Sequence, residues 1–451
     1  MAKTLTGTQP LPWHHRARRF FDVGWTFLVI YLSYKRIQRN KKLSPRQREA
    51  RLSRAHTRNA ERIYGLATRL EGMMIKTCQF ISSRADVAPT EYVSVLSRLQ
   101  DSVPARPFSQ VVQVFEREFR KHPDELFDGF TRAPIASASL AQVHRARTKD
   151  GHDVAVKVQY PGIDRILETD LRNVAILVKL LARIEKNFDF RVLMNELNKD
   201  MPRELDFELE ARSSERVAAD LAHRSDIKIP IVHWETTRRR ILTTEFIEAT
   251  KISDIEALVA EGIDPNQVAL IMTEAYCEQI LVHGYFHADP HPGNLFVLPG
   301  PVVVFLDFGL SKELPETFRR NYAKLIMALI GQDDAAMVEA FRAIGFKTKS
   351  QDPDSLVALG RSFFEYGGAE NKPYVDQDVM PEVNERLSRI LQANPVTEIP
   401  GDILLIFRVL GLMSGLQKRL DSRVDVIETI TPYAEGEARK LAELAAGDAA
   451  G

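Results

Sequence analysis

The chain has 451 residues, of which 44% are hydrophobic and 27% are charged, and its formal net charge at neutral pH is zero. This length exceeds that of one ordinary domain, and the composition is typical of a globular protein with an ample core. The two cysteines, Cys78 and Cys277, lie far apart and lack the spacing of metal ligands, which excludes a disulfide framework and favours a reducing compartment.

The neutral total conceals a basic amino terminus. Residues 1–48 carry eleven Lys or Arg against the single acid Asp22, a balance of plus ten, so the rest of the chain carries about ten net negative charges. Between the basic clusters lies an apolar, aromatic-rich segment, residues 20–34, which is shorter than the ~20 residues that a bilayer span requires. We therefore predict that residues 1–48 interact with a membrane as an interfacial or shallow anchor, in which Lys and Arg hold anionic headgroups.

Two other interpretations of residues 20–34 remain open. The segment can be a helix buried against the protein itself, and its Arg-rich, acid-poor surroundings are also typical of a mitochondrial transit peptide. A cleaved secretory signal is not expected, because no small-residue cleavage site follows. No other stretch is long and apolar enough to cross a membrane.

Hydrophobic periodicity predicts that helical and strand-rich segments follow one another along the rest of the chain. Residues 49–130 are predicted to be helical. The predicted strands are residues 139–147, 153–160, 228–234, 239–247, 295–297 and 302–307. Further helices are predicted at residues 163–184, from 191 to about 222, and over most of the chain from 265 onwards.

A small sheet-bearing lobe, a linking segment at residues 244–252 and a larger helical lobe follow the plan of a protein kinase. We therefore predict an α+β, bilobal, protein-kinase-like fold with a β-rich N-lobe, a helical C-lobe and a helical N-terminal extension. The predicted domains are the membrane-interacting segment 1–48, the helical extension 49–130, the N-lobe 131–250, the C-lobe 251–345 and a helical C-terminal extension 346–451.

The strongest functional signal is a series of three polar residues in the predicted C-lobe. Asn294 follows Asp289 by five residues, and Asp307 comes thirteen residues later in an Asp-Phe-Gly sequence. Kinase-like enzymes need one Asp that meets the attacking group, an Asn that holds a metal ion, and a second Asp that holds metal against the nucleotide phosphates. Both spacings equal those of kinases, so we predict that Asp289 is catalytic and that Asn294 and Asp307 bind the metal.

A lysine in the predicted N-lobe supplies a second signal. Lys157 lies between two valines in the middle of a predicted strand, so its side chain points to the opposite face from theirs. In a kinase fold such a lysine contacts the nucleotide phosphates and pairs with a helix acid, here expected from residues 204–211. Within that segment Glu204 and Glu208 would share one helix face. Taken alone, the lysine and the acidic helix would also fit ordinary solvated surface.

The loop expected to cover the nucleotide contains no glycine. Where ordinary kinases have a Gly-rich turn, this chain reads PIASASLAQVH, with small Ala and Ser residues at 136–139. Small side chains still permit a close approach to phosphates, but their Cβ atoms restrict φ. We expect a stiffer and differently shaped nucleotide cover.

Two histidines flank the predicted catalytic residue. His287 and His291 surround Asp289, and this pattern alone could indicate a metallohydrolase. Such a site needs further ligands, and no second His-rich motif follows. The downstream Asp-Phe-Gly favours the kinase-like interpretation, in which His287 orders the backbone of the loop.

These motifs together resemble the UbiB/AarF family of atypical protein-kinase-like proteins, over about residue 60 to at least 345. The resemblance is carried by KTCQ at 76–79 with FISSRADVAP and LSRLQDSVP after it, PIASASLAQVHRA, VAVKVQYPGI, ELDFELEA, HADPHPGNLFV and LDFG. The QDSVP and QYPGI stretches are not general kinase features, so the combination is specific.

The resemblance implies a role for each residue that matches a family motif. The implied ATP-binding residues are Lys157, Ala138, Ser139, Glu245 and Ile247, with ATP and Mg²⁺ as cofactors. The implied motif residues are Lys76 and Gln79, in an element that in relatives folds over the peptide-substrate site, and the helix acids Glu204, Asp206 and Glu210. Cys78 stands where the family has Gly, and a packed, inert thiol is expected there. The expected active site has the side chains at 157, 289, 294 and 307 around one divalent cation and its triphosphate.

The family is linked to ubiquinone and other isoprenoid lipids, and its members bind nucleotide with ATPase rather than evident protein-kinase activity. The resemblance therefore implies a membrane-associated ATPase or small-molecule kinase whose partners are membrane lipids, isoprenoid quinone precursors and quinone-biosynthesis enzymes. No nucleic-acid partner is expected, and a homodimer is an open alternative. The cytoplasmic face of a bacterial inner membrane is favoured, with the mitochondrial inner membrane and plastids as alternatives. A nucleotide-gated lipid-binding scaffold and a true protein kinase are the alternative functions.

Overall fold

The computed structural model describes residues 13–40, 43–70, 73–82, 89–100, 105–184, 202–350, 353–367, 394, 396–398 and 400–448. The chain forms two compact units, unit 1 with Met1–Ala211 and Ile231–Phe246, and unit 2 with Arg212–Pro230 and Ile247–Gly451. The boundary between Phe246 and Ile247 lies inside the segment 244–252 that the sequence predicts as a link.

Helices predominate in the described part of the chain. They are α1 (Trp13–Arg39), α2 (Pro45–Leu70), α3 (Met73–Ser82), α4 (Thr90–Leu96), α5 (Phe108–Phe119), α6 (Pro123–Leu126), α7 (Ile163–Ile184), α8 (Phe207–Asp220), α9 (Ile255–Ala260), α10 (Pro265–Cys277), α11 (Glu316–Ile330), α12 (Asp334–Ile344), α13 (Asp354–Gly367), α14 (Gly401–Arg419) and α15 (Val426–Asp448). A π-helical segment, Glu278–His283, continues α10.

The strands are short. They are β1 (Phe127–Phe130), β2 (Ala136–Ser137), β3 (Ala141–Thr148), β4 (Asp153–Gln159), β5 (Ile227–Lys228), β6 (Ile241–Glu245), β7 (Thr250–Lys251), β8 (Tyr285–His287), β9 (Leu295–Leu298), β10 (Val302–Phe305), β11 (Ser311–Glu313), β12 (Lys347–Thr348) and β13 (Val396–Glu398).

Unit 1 contains an antiparallel sheet in the order β1-β3-β4-β6, with β2 also paired to β3. Alternation along β4 buries Val154, Val156 and Val158 on one face, where they pack with Phe115 of α5 and Phe127 of β1. Lys157 lies on the other face, as its position between two valines predicted. The sheet therefore presents one core face and one face that carries Lys157.

The amino-terminal helices of unit 1 have a core of their own. Helices α1, α3 and α4 each pack against α2, and the buried members of this core include Val23, Leu66, Ile75, Cys78 and Leu96. Helix α1 is thus part of the fold of unit 1. Among the described residues, no helix combines the length and the apolar character that crossing a bilayer requires.

The described part of unit 2 consists of helices and three small sheets, β5-β10-β9-β7, β8-β11 and β12-β13. The core includes Met272 of α10, Phe286 of β8, Phe305 of β10 and Phe341 of α12. Strands β9 and β10 form an antiparallel hairpin around Gly300, whose φ of +133° is a conformation that other residues rarely adopt. Strand β5 pairs with β10 in parallel, and β8 pairs with β11.

Several predicted elements are confirmed, and others differ for identifiable reasons. Helix α7 and strands β3, β4, β9 and β10 lie where periodicity places them. The prediction of helix up to residue 130 is wrong at its end, because 127–130 pairs with β3 as strand β1. The predicted strand 228–234 is also too long. Strand β5 covers only Ile227–Lys228, and Val232 forms a single bridge to Thr244.

The predicted helix from 191 to about 222 is described only from residue 202, and there it is interrupted. Asp206 is extended, with φ −118° and ψ 91°, and separates the 3-10 turn Arg203–Leu205 from α8. Its Oδ1 accepts a hydrogen bond from the Leu209 N–H at 3.2 Å, and Asp commonly begins helices in this way. Glu204 therefore lies outside α8, and the expectation that Glu204 and Glu208 share one helix face is wrong.

A buried histidine in unit 1 predicts a pH-dependent stability. His144 Nδ1 lies 2.7 Å from the Thr131 carbonyl oxygen and Nε2 lies 2.8 Å from Gln142 Nε2. Because Gln142 Oε1 accepts from the Arg106 N–H, its amide nitrogen must donate to His144, which is therefore neutral and protonated at Nδ1. Burial lowers the pKa of His144 below its ordinary value.

Because the pKa of His144 is lower in the folded chain, the unfolded chain binds more protons at residue 144 once the pH falls to about 6.5, the ordinary pKa of His. The free energy of unfolding should therefore fall as pH drops below about 6.5, and His144→Gln should show less of this fall. Urea unfolding of the two proteins at pH 5.5 and 7.5 measures the difference. His152→Gln, at an exposed histidine, should behave like the parent. An unchanged pH dependence in His144→Gln would contradict the neutral assignment.

Candidate active site

Backbone hydrogen bonds of unit 2 bring the Asp289, Asn294 and Asp307 segments together. The loop between β8 and β9 contains Asp289 and Asn294, and Asp307 follows β10. The Leu306 N–H donates to the Asn294 carbonyl oxygen at 2.8 Å, and the Ala288 N–H donates to the Leu310 carbonyl oxygen at 2.8 Å. These bonds hold the Asp-Phe-Gly turn beside the loop, so residues separated along the chain become neighbours.

His287 joins the two segments from within the core. Its Nε2 lies 2.8 Å from the Asp307 carbonyl oxygen and its Nδ1 lies 3.0 Å from the Tyr276 hydroxyl. A carbonyl only accepts, so Nε2 carries the proton and Nδ1 accepts from Tyr276. Burial lowers the pKa of His287 and raises that of Tyr276, which favours the neutral forms of both. His287 therefore orders the loop, as the sequence predicted.

The hydrogen bonds of His287 argue against the metallohydrolase interpretation, in which this residue would be a metal ligand. Both of its ring nitrogens are engaged by protein atoms. His291 Nδ1 accepts a hydrogen bond from the Gly293 N–H at 3.1 Å. Across the described ranges, no group of three or more His, Cys, Asp and Glu side chains is arranged to hold a metal ion.

Asp307 has an unusual backbone conformation. Its φ is +59° and ψ is +80°, in the left-handed region that few residues other than Gly adopt, although Asp tolerates it better than most. Its Oδ1 accepts from the Gly309 N–H at 3.4 Å, and His287 holds its carbonyl oxygen. Backbone strain of this kind is typical of functional sites.

Asn294 and Asp307 carry oxygen donors that suit Mg²⁺. The Asn294 amide nitrogen faces the Asp289 carbonyl oxygen at 3.4 Å, a long contact that places the amide nitrogen on that side. The amide oxygen, the atom that binds hard cations, is not used by this contact. Mg²⁺ is usually held by one or two carboxylates together with substrate phosphates and water, so this small donor set fits it.

Asp289 is paired with an arginine that sequence reasoning missed. Arg408 of α14 donates from Nη2 to Asp289 Oδ1 at 2.8 Å, and its side chain is 7% exposed while that of Asp289 is 25% exposed. The two residues are 119 positions apart. One signal could have indicated Arg408, because it is an isolated charge within the apolar run ILLIFRVLGLM and such a charge needs a partner when buried.

In unit 1, Lys157 pairs with Glu210. Lys157 Nζ lies 2.8 and 3.0 Å from the two carboxylate oxygens of Glu210 in the first turn of α8. The side chains are 19% and 6% exposed. The Phe207 ring lies 5.0 Å from the Lys157 ammonium. Of the acids within 204–211, the structure thus brings Glu210 to Lys157.

The KTCQ element makes a second ion pair in unit 1. Lys76 Nζ lies 2.9 Å from Glu204 Oε2, with side chains 24% and 10% exposed. Asp206 lies 3.9 Å from Arg239 Nε. The acids Glu204 and Glu210 therefore bind two different lysines, because the break at Asp206 places them on separate segments. The side chain of Gln79 lies outside the described residues.

Cys78 is buried in the amino-terminal core, where it contributes to packing. Burial raises the pKa of its thiol to about 12, so the thiolate is scarce at neutral pH. This environment agrees with the expected inert thiol. Cys277 has the same character, with a pKa raised to about 12 by burial.

The other residues implied to bind ATP lie in the turn between β2 and β3, at the end of β6 and just after β6. The Ala138 N–H donates to the Ala141 carbonyl oxygen at 2.8 Å, and Ser139 beside it is buried. Glu245 ends β6 and accepts a hydrogen bond from the Ile231 N–H at 3.3 Å, and Ile247 is half-buried in unit 2. Their contact with ATP remains a prediction, as does the convergence of positions 157, 289, 294 and 307.

Unit 2 also contains an apolar cavity of about 50 Å³. Its walls come from α10, the π-helical segment, α11, α14 and α15, and include Tyr276, Val409 and Met413. Tyr276 is the residue that bonds to His287, and Val409 follows Arg408 along α14. The cavity walls are therefore continuous with the helices that hold the loop around Asp289.

The sheet, the loop with Asp289 and Asn294, and the Asp-Phe-Gly turn define an atypical protein-kinase-like protein. The family model of the ABC1 atypical kinase-like domain matches residues 98–341. The chain belongs to this family, the UbiB/AarF family that its motifs resemble. Arg408 lies outside the matched residues.

Relatives from several organisms are similar to most of the chain. It is 37% identical to AarF domain-containing protein kinase 1 of Xenopus tropicalis over 68% of this chain and 60% of that protein. The Xenopus laevis protein of the same name is 32% identical over 82% of this chain and 72% of its own length. The Arabidopsis thaliana protein ACTIVITY OF BC1 COMPLEX KINASE 8, chloroplastic, is 31% identical over 81% and 52%.

A solved structure shows the same fold. It is Rv3197 from Mycobacterium tuberculosis in complex with erythromycin, 23% identical, with a TM-score of 0.59 over 84% of this chain and 97% of that chain. The predicted kinase-like fold is therefore confirmed.

Proposed function

We propose that this protein binds Mg-ATP and transfers its terminal phosphoryl group to water or to a small molecule. The observation that carries this proposal is the bonding of the Asp289 loop to the Asp307 turn through His287 and the backbone. The kinase names of the relatives agree with the chemical class. They do not specify the acceptor.

Each residue has a role that follows from its chemistry. Asn294 and Asp307 would hold Mg²⁺, and Lys157, oriented by Glu210, would neutralise phosphate charge. Bound Mg-ATP supplies the phosphoryl group and the cation that screens it. Asp289 would orient the attacking hydroxyl or water, and Arg408 would position Asp289.

We further propose that the protein works at a membrane in support of ubiquinone or other isoprenoid lipids. The basic amino terminus and the family resemblance support this role. Membrane lipids and isoprenoid quinone precursors would be its partners. Peripheral attachment to the cytoplasmic face of a bacterial inner membrane is favoured, with mitochondrial and plastid membranes as alternatives.

A second candidate function is a nucleotide-gated lipid-binding scaffold with negligible chemistry. The apolar lining of the cavity in unit 2 favours it, because such a lining suits an apolar group. At about 50 Å³ the cavity is smaller than the ~300–1,000 Å³ of small-molecule pockets, so a lipid would have to widen it on binding. In this case nucleotide would bind without turnover. A true protein kinase, the third candidate, would be indicated by labelled phosphate on added protein substrates.

Asp289→Asn separates the first two candidates. If Asp289 orients the acceptor, turnover should fall by roughly 10²–10⁴-fold while Mg-ATP affinity stays near that of the parent. Phosphate release and nucleotide titration, with and without vesicles, measure the two quantities. Asp402→Asn, a similar change on the first turn of α14, is the matched control. Binding without measurable turnover in the parent would favour the scaffold.

A further inference from the structure

Helix α1 is fastened to unit 1 along one face. Arg19 donates from Nε to Asp170 Oδ1 of α7 at 2.8 Å and from Nη1 to the Leu70 carbonyl oxygen at 2.8 Å. Val23 is 1% exposed, and Phe27, one turn further on, packs in the same core. Both side chains of this ion pair are largely buried, Asp170 at 1% and Arg19 at 13% exposure. The face of α1 that carries Arg19, Val23 and Phe27 is therefore packed against the rest of unit 1.

The outer face of α1 carries a continuous row of exposed apolar side chains. Phe21 is 71% exposed, Trp25 68%, Leu28 46% and Leu32 55%. Their spacings of four, three and four residues place them along one side of the helix. We call these four side chains the α1 stripe. It extends about 16 Å along the helix at 1.5 Å per residue.

Basic residues continue the α1 stripe at both ends. Arg18 precedes Phe21 by three residues, while Arg36 and Arg39 follow Leu32 by four and seven, so all three share the same side of α1. Each of these arginines is exposed. The only acid in the helix is Asp22, which lies 3.9 Å from Arg18. An apolar centre with cationic ends suits a surface that is apolar inside and negatively charged at its headgroups.

We propose that the α1 stripe lies in the headgroup region of an anionic bilayer, with α1 parallel to the membrane plane. Phe21, Trp25, Leu28 and Leu32 would enter the boundary of the acyl chains, and Arg18, Arg36 and Arg39 would contact lipid phosphates. Trp suits this depth because its ring is apolar and its N–H is polar. The occupant is a bilayer because cations stand at both ends of one apolar row.

This inference rests on the membrane association in the proposed function, and it is independent of the phosphoryl chemistry. The α1 stripe differs from the other exposed apolar residues of the described chain. Ile231 and Val259 are 62% and 59% exposed, but neither belongs to a row of exposed apolar side chains on a helix. Ile231 lies outside the helices, and the apolar neighbours of Val259 at helical spacing, Ile255 and Ile263, are half-buried and buried. Ile231 and Val259 therefore provide matched controls for the loss of exposed apolar surface.

The test uses the full chain and vesicles of phosphatidylcholine with and without phosphatidylglycerol. Phe21→Ser with Leu28→Ser should weaken sedimentation with the anionic vesicles by roughly tenfold or more. Arg36→Gln with Arg39→Gln should weaken it by about fivefold for each charge and reduce the preference for anionic lipid. Ile231→Ser with Val259→Ser should bind like the parent.

Trp25 reports the depth directly. With Trp13→Phe and Trp234→Phe, it is the remaining tryptophan of the three in the chain, and lipids brominated near the headgroup should quench it. Equal vesicle binding by Phe21→Ser with Leu28→Ser, or an unquenched Trp25 in bound protein, would overturn the proposal. So would a parent that binds no vesicles. ATP turnover measured without vesicles judges the proposed chemistry separately.

Discussion

Asp307→Asn is expected to abolish Mg²⁺-dependent ATP binding without unfolding the protein. The substitution removes the carboxylate that a hard cation prefers but retains the size of the side chain. Asn also tolerates positive φ, so the left-handed backbone at +59° adds no new strain. The loss of Mg²⁺-dependent ATP binding should therefore result from the missing negative charge of the Asp307 carboxylate.

Calorimetric titration of ATP with and without Mg²⁺ measures this effect, and turnover should fall by about 10²–10³-fold or more. The chain offers a close control in Asp421, an exposed aspartate of unit 2 whose φ is +49°. Asp421→Asn should leave binding and turnover intact. If Mg-ATP binding and turnover survive in Asp307→Asn, the metal assignment is wrong.

Arg408→Met is expected to lower turnover by roughly 10–10²-fold with little change in the affinity for Mg-ATP. Met fills a similar volume but removes the hydrogen bond that holds Asp289 Oδ1. The Asp289 carboxylate would then be free to leave the orientation in which we propose that it meets the attacking group. Because a nearly buried charge pair is broken, the free energy of unfolding should also fall by about 1–3 kcal/mol.

Comparing kcat with KM distinguishes positioning from general destabilisation. Arg408→Lys keeps the charge and should recover part of kcat, although Lys lacks the planar geometry of the guanidinium. Lys418→Met, an exposed substitution on the same helix, should match the parent in turnover and in urea unfolding. Turnover in Arg408→Met equal to that of the parent would show that Asp289 does not depend on this contact.

The sequence predicted most accurately the elements in which a hydrophobic periodicity extends over many residues and the elements that carry a specific motif. Helix α7 has the predicted bounds, and β4 shows the alternation that sets Lys157 opposite its neighbouring valines. Strands β8 and β11 were missed because each has three residues and is defined by the other, far along the chain. Local periodicity carries no information about such a pairing.

The amino-terminal segment shows a different limit. Burial against the protein and contact with a membrane were alternatives for residues 20–34, and hydrophobicity supported both. In the structure Val23 packs inside unit 1 while Phe21 and Trp25 are exposed. A helix with apolar side chains on two faces can pack against the protein with one face and contact a membrane with the other. Sequence alone does not show which face the fold covers.

The sequence by itself determined which residues we propose for the chemistry of the candidate site, because Asp289, Asn294 and Asp307 are recognisable from residue type and spacing. Only the tertiary structure decided their partners. It paired Lys157 with Glu210 and Lys76 with Glu204, and it brought Arg408 to Asp289 across 119 positions. The physical reason is that helix breaks and core packing set the distances between remote residues, whereas motif spacing constrains only near neighbours.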